Sequence, residues 1–144
     1  NIPLIIFDPR MNNNKNITEA FVELLDLFPT LVELAGLENK GKMDGKSMVP
    51  LIDNNLLEDF SNSFSMYQSF QKDENVKDLK AYALHNKKYT YIEWWDTVSN
   101  TIVNQELYDI EYGLETTNII SDPSTQEIVK RLSKKIEIKK QSLK

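Results

Sequence analysis

At 144 residues and 16.7 kDa the chain has the length of one domain, with 40% hydrophobic and 27% charged residues, values that speak against disorder and against a membrane protein. A net charge of −5 argues against a dedicated nucleic-acid binder, and the absence of cysteine removes disulfides, thiolate metal sites and cysteine nucleophiles. The first apolar run, IPLIIF, is too short for a membrane span and lacks the basic flank and cleavage site of a signal peptide.

The chain opens on Asn1 with that apolar run and no lead-in, which predicts a piece cut from, or expressed as part of, something longer. Ile2 to Phe7, closed by Asp8-Pro9, reads as a strand buried on both faces. Met11 to Lys15 reads as a polar loop, and Asn16-Ile17-Thr18 matches an N-glycosylation acceptor pattern, which is short enough to arise by chance. In Val22 to Leu37, VELLDLFPTLVELAGL, proline is costly inside a helix and tolerated in its first turn, so the helix must begin just before Pro29. That start makes Asp26 the expected N-cap, Gly36 the stop, Leu27, Leu31, Leu34 and Ala35 the buried face, and Phe21 to Leu25 a strand leading into the helix. Asp44 to Ile52, DGKSMVPLI, repeats the pattern: an Asp-Gly turn, Ser47 as cap and Pro50 in the first turn of a short helix.

Alternation and aromatic content predict strands at Ser63 to Tyr67, Lys80 to Leu84, Tyr89 to Trp94 and Glu106 to Tyr108, with Asn86-Lys87-Lys88 closing an antiparallel hairpin. Asp122-Pro123 supplies a cap and an N1 proline for a helix from about Ser124 to Lys139, whose apolar stripe is Ile128, Val129, Leu132 and Ile136. The fold class is therefore α+β, with a small four-stranded antiparallel sheet and a final helix.

Chemistry is sparse in this pattern. His85, the only histidine, has no serine partner in a recognisable motif, and no GxSxG or phosphate-cradling loop occurs. The carboxylates Asp8, Asp26, Asp44, Glu93, Asp96, Asp109 and Glu111 read first as caps and turn formers, because a metal site needs ligands that converge. Trp94 and Trp95 with Tyr89 and Tyr91 could stack on a sugar or a base, but neighbouring residues of a strand face opposite ways, so at most one tryptophan joins the core face. Lys130, Arg131, Lys134, Lys135, Lys139 and Lys140 read as the solvated face of the last helix, with attraction of a polyanion as the alternative.

Taken in order, VELLDLFPTLVELAGL, DGKSMVPLI, SFSMY, AYALHNKKYTYIEW and QELYDIEYGLETTN resemble the C-terminal portion of a type I sulfatase of the alkaline phosphatase superfamily, most like the iduronate-2-sulfatase-like branch. The resemblance implies that residues 1–60 are the tail end of the large α/β domain and residues 61–144 the C-terminal antiparallel-sheet subdomain. It implies a formylglycine nucleophile, made within C/S-x-P-x-R, beside a calcium that neutralises sulfate oxygens. Neither that motif nor the family's metal-binding sequences occurs in these residues, so both cofactors are expected in a preceding catalytic portion and the chain alone is expected to be inactive.

What remains to this part, by the resemblance, is a wall of the substrate pocket for a sulfated carbohydrate, in a secreted or periplasmic protein. His85 stands where that branch has an arginine, which replaces a permanent cation with one that can lose its proton; it is either a substrate contact or a turn histidine. Tyr67 and Trp94 match aromatic positions of the pattern, with packing as the alternative to substrate contact. Gly113-Leu114 replaces the usual Asp-Pro of the ELYD loop. The expected partners are the catalytic portion and the sulfated sugar, with no nucleic acid, and a homodimer through exposed edges of the first two strands. The competing readings are a non-catalytic carbohydrate-binding or interaction domain and a fragment of a phosphonate or phosphate ester hydrolase.

Overall fold

The computed structural model of the chain describes residues 3–10, 17–38, 41–54, 60–68, 78–111 and 115–142. The Met11 to Lys15 loop, Asn16 of the glycosylation pattern and the Gly113-Leu114 departure lie outside the described residues. The chain divides into two compact units, Asn1–Phe60 and Ser61–Lys144.

In the first unit α1 spans Leu27–Leu34 and α2 spans Val49–Asn54. Gly36, at φ +65, ends α1 in a Schellman turn: its N–H donates to Glu33 O and the Leu37 N–H to Val32 O. Pro29 falls in the first turn, as its missing N–H requires. Asp26, however, makes no side-chain cap on α1. Its Oδ2 instead accepts the Glu23 N–H, closing a capping box around the 3-10 turn Leu24–Asp26, and its Oδ1 accepts the Lys46 N–H at 2.9 Å. That turn replaces the strand expected at Phe21 to Leu25.

Nor do residues 3–7 form a strand, and Ile5 is 92% exposed. A strand needs a neighbour to take its backbone hydrogen bonds, and among the described residues the first unit contains none. The expectation of a homodimer through these two edges therefore loses the strands that carried it. Helix α1 buries only part of the side its apolar spacing predicts, with Leu27 packed on the core and Leu34 half-buried. Pro29 and Thr30 are buried, whereas Leu31 is 63% exposed and Ala35 lies in solvent. The small core is Met48, Leu51 and Phe60, packed by Ile6, Ala20, Val22, Leu27 and Ile52.

The second unit is an antiparallel sheet in the order β1-β2-β3-β4, built from β1 (Asn62–Gln68), β2 (Leu79–Asn86), β3 (Tyr89–Asp96) and β4 (Thr101–Asp109). Asn86 Oδ1 accepts the Lys88 and Tyr89 N–H groups and so fixes the β2–β3 turn. Asp96 Oδ1 does the same for Val98 and Ser99 at the β3–β4 turn, where Asn100 takes φ 52. Strand β4 is much longer than the three residues expected.

Asp122 accepts the Ser124 N–H, Pro123 opens a short 3-10 turn, and α3 runs Gln126–Ser142. Leu132 and Ile136 of α3 are buried against Leu84, Tyr91 and Leu107 of the sheet, with Phe64, Tyr82, Ile128 and Val129 at the margin. The fold is thus α+β, a meander with one helix across one face.

Candidate functional site

Register sorts the sheet's side chains into two faces. Phe64, Leu84, Tyr91 and Leu107 share one row beneath α3, and the next row on that face is Met66, Tyr82, Glu93 and Gln105. The alternate residues occupy the other face: Ser63, His85, Thr90 and Tyr108 in one row, Ser65, Ala83, Ile92 and Glu106 in the next, then Tyr67, Ala81, Trp94 and Asn104. All three residues singled out from the sequence, His85, Tyr67 and Trp94, therefore lie on the face opposite α3.

Tyr67 and Trp94 meet edge to face, with ring centroids 6.5 Å apart and planes at 72°. The Trp94 indole N–H donates to Glu106 Oε1 at 2.7 Å, and the Tyr108 hydroxyl donates to Glu106 Oε2 at 2.7 Å. That bond, more than burial or the carboxylate's charge, pushes the Tyr108 phenol above its ordinary pKa. With its N–H committed, Trp94 has only its ring to offer a ligand, next to Tyr67, which is 60% exposed.

His85 stands two rows away, its Nδ1 3.0 Å from Oγ1 of the buried Thr90 directly across the strand pair. If Thr90 donates to Nδ1, the neutral ring carries its proton on Nε2, a donor suited to an anionic or hydroxyl ligand. In these three rows His85 is the only base and Glu106 the only acid. The face can stack on a ring and hydrogen-bond hydroxyls, and it presents one donor that can carry charge.

Sequence reading passed over Glu106, Thr90 and Tyr108. Their sorting onto the face of Trp94 and His85 depends on the β3–β4 register, which includes a shift between Trp94 and Trp95. Trp95 goes to the α3 side, its N–H donating to Glu93 Oε2 at 2.9 Å. Glu93, 1% exposed, also accepts the Tyr91 hydroxyl, which in turn accepts from Gln105. Among the described residues no three His, Cys, Asp or Glu side chains converge as metal ligands. Among the described residues no helix is long and apolar enough to cross a membrane.

Solved structures share the fold of this chain. One, a protein in complex with its substrate D-glucosamine-2-N, 6-O-disulfate, superposes with a TM-score of 0.64 at 22% identity, over 81% of this chain and 23% of its own. Another, a 2-O GAG sulfatase, gives 0.58 at 24% identity, over 81% and 25%. Residues 1–142 match the family described as N-sulphoglucosamine sulphohydrolase, C-terminal, and the chain belongs to that family. Arylsulfatase K of Xenopus laevis is 28% identical over 139 residues, 94% of this chain and 25% of the relative. A sulfatase of Formosa agariphila is 29% identical over 115 residues, 74% and 18%. The chain spans about a quarter or less of the length of these relatives.

Proposed function

We propose that the chain is the C-terminal part of a sulfatase that hydrolyses sulfate esters of a sulfated carbohydrate, and that it supplies one wall of the substrate pocket. The observation that carries this reading is the family match over residues 1–142, joined to the gathering of His85, Tyr67 and Trp94 on one sheet face. On that face the Tyr67–Trp94 pair packs against a sugar ring, while His85, oriented by Thr90, donates to a hydroxyl or sulfate oxygen. The formylglycine and the calcium belong to a preceding catalytic portion, which is also the partner that covers the apolar surface of the first unit. The secreted or periplasmic location and the iduronate-2-sulfatase-like branch rest on the motif resemblance alone.

The test is steady-state kinetics of the full-length enzyme on its sulfated sugar. His85→Ala is expected to raise KM more than it lowers kcat, because the residue binds and does not react. An unchanged KM would reduce His85 to a turn residue. Calcium-dependent turnover of an aryl sulfate by this chain alone would overturn the assignment of the chemistry to another portion. The Tyr67–Trp94 pair also favours a second reading, a non-catalytic carbohydrate-binding domain. An encoding gene without a C/S-x-P-x-R sequence in the same frame would select it.

A further inference from the structure

Glu106 is the only acid in the three rows of the sheet face that carries His85, and both of its carboxylate oxygens are engaged. Oε1 accepts the Trp94 indole N–H at 2.7 Å, and Oε2 accepts the Tyr108 hydroxyl at 2.7 Å. Hydrogen bonds of that length to a carboxylate are charge-assisted and hold both donors in place. The Trp94 ring also meets Tyr67 of β1, so one carboxylate on the edge strand β4 fixes an aromatic surface that reaches across the sheet. Trp94, Glu106 and Tyr108 are all half-buried, and each keeps some surface toward solvent.

The second bond sets polarity. Tyr108 has a single O–H, which goes to Glu106, so its oxygen is left with lone pairs only. Thr90 separates Tyr108 from His85 in one row, and its hydroxyl lies 3.0 Å from His85 Nδ1. With Thr90 donating to Nδ1, His85 offers a donor at Nε2. The row then presents a donor on β2 and an acceptor on β4, two strand spacings or about 10 Å apart, more than one pyranose ring spans. Charge is divided the same way. The three rows hold no lysine or arginine, and Lys88 of the β2–β3 turn lies 3.9 Å from Asp109 and 3.5 Å from Glu111. The charge of Glu115 reaches the Tyr108 phenol together with that of Glu106.

We infer that Glu106 is a specificity-determining residue of the pocket wall: by holding Trp94 and turning the Tyr108 hydroxyl into an acceptor, it selects an oligosaccharide whose sulfate lies at His85 and whose neighbouring sugar presents an unsulfated hydroxyl at Tyr108. The inference rests on the sulfated-carbohydrate reading above for the class of ligand, and on hydrogen-bond polarity and charge for the selection. A free hydroxyl donates to the Tyr108 oxygen. A sulfate ester at the same position has no proton to donate and meets the charges of Glu106 and Glu115. Selection thus includes a repulsive element aimed at the wrong ligand, as well as a hydrogen bond to the right one.

Glu106→Gln is the isosteric test. The amide oxygen keeps the Trp94 bond, the amide N–H donates to the Tyr108 oxygen, and the phenol proton is released toward the ligand, so shape is kept while charge is removed and polarity reversed. The experiment is titration calorimetry of the full-length enzyme, its formylglycine-forming residue replaced by Ala so that nothing is hydrolysed, with heparin-derived disaccharides carrying one sulfate or three. In Glu106→Gln the ratio of the two dissociation constants is expected to shift roughly tenfold toward the trisulfated ligand. Tyr108→Phe is expected to weaken the monosulfated ligand about threefold to tenfold and the trisulfated one by less. A Glu106 that only props Trp94 predicts the wild-type ratio in Glu106→Gln, and that result overturns the inference. Should Glu106→Gln fail to fold, Tyr108→Phe carries the test, and an equal effect on both ligands overturns it. His85→Ala keeps two failures apart, because it is expected to weaken both ligands. Weakened binding in His85→Ala with an unmoved ratio in Glu106→Gln sinks the selection alone. Wild-type binding of both ligands by His85→Ala, or an enzyme that binds neither before His85 is changed, sinks the pocket reading and the selection with it.

Discussion

The two units of this chain spend their apolar residues differently. In the second, Leu84, Tyr91, Leu107, Leu132 and Ile136 are sealed between sheet and helix. In the first, the core among the described residues is Met48, Leu51 and Phe60, while Leu24, Phe28 and Leu31, at helical spacing, face solvent with Leu4, Ile5, Phe7 and Leu37. A polar clasp compensates for the thin core. Asp26 takes the Lys46 N–H, and the Thr30 hydroxyl donates to Asp26 O at 2.5 Å while accepting the Met48 N–H at 2.9 Å. Gly45 makes this possible, because a Cβ there would collide with the backbone of Leu25 and Asp26. The DLFPT and DGKSM segments are therefore one device: the first supplies acceptors, the second donors and a residue without a side chain. The second unit is held by burial and the first by directed hydrogen bonds, with apolar side chains left exposed.

The sharpest way to break this comparison is to truncate each kind of leucine. Leu84→Ala is expected to destabilise the second unit by about 2–5 kcal/mol, the range for a buried leucine that leaves a cavity. Phe28→Ser with Leu31→Ser is expected to change stability by no more than about 0.5 kcal/mol per site and to reduce self-association of the isolated chain. Both tryptophans lie in the second unit, so urea unfolding followed by tryptophan fluorescence reads Leu84→Ala, and amide hydrogen exchange along α1 reads the Phe28/Leu31 pair. Size-exclusion chromatography reads the association. A large stability loss from the Phe28/Leu31 pair would mean that the apolar face of α1 is already in use.

The clasp comes next in size. Thr30→Val keeps the shape of the side chain and leaves the buried Met48 N–H without its acceptor, at a cost of about 1–3 kcal/mol. Thr30→Ser should recover most of it. Amide hydrogen exchange at Lys46 and Met48 is the measurement, and protection unchanged in Thr30→Val would refute the clasp.

Where the sequence was legible, the information was local. Asp122-Pro123 marks the start of the last helix, Gly36 the end of α1, and alternation marks β2 and β3 within a residue or two. Residues 3–7 and 21–25 read as strands because an apolar run does not reveal whether a neighbouring strand is present to pair with it. Leu31 and Ala35 read as buried for a related reason: helical spacing tells which side is apolar, not whether anything covers it. The first five residues of β4, TIVNQ, break alternation with adjacent Ile102 and Val103, so their pairing with β3 was invisible, and with it the bond from Trp94 to Glu106. Asp26 was misread as a cap because its other partner, Lys46, lies twenty residues away. The site residues were legible individually, as a histidine near a turn and aromatics in strands. Their common face became clear only with the register.

The smallest effects should divide the units by pH. Asp8 is held down to about 2, first by the Arg10 side chain and then by the Arg10 backbone N–H, and the same guanidinium donates to Leu34 O at the end of α1. A carboxyl lowered on folding stabilises fully above its unfolded value of 3.8, and that contribution is lost as pH falls from there through about 2. Tyr91 behaves in the opposite sense. Burial, then the charge of Glu93, raises its phenol above 10, so its contribution is fully present below pH 10 and is lost as the unfolded chain alone gives up the proton. Acid should therefore loosen the first unit through Asp8, read as faster amide exchange along α1, and Asp8→Asn should remove that acid dependence. Alkali should loosen the second unit, with one phenol titrating together with the loss of tryptophan fluorescence contrast. If Asp8→Asn left the acid dependence of α1 exchange intact, the Asp8–Arg10 tie would be a surface contact of no energetic consequence, and the first unit would rest on the Asp26–Thr30 clasp alone.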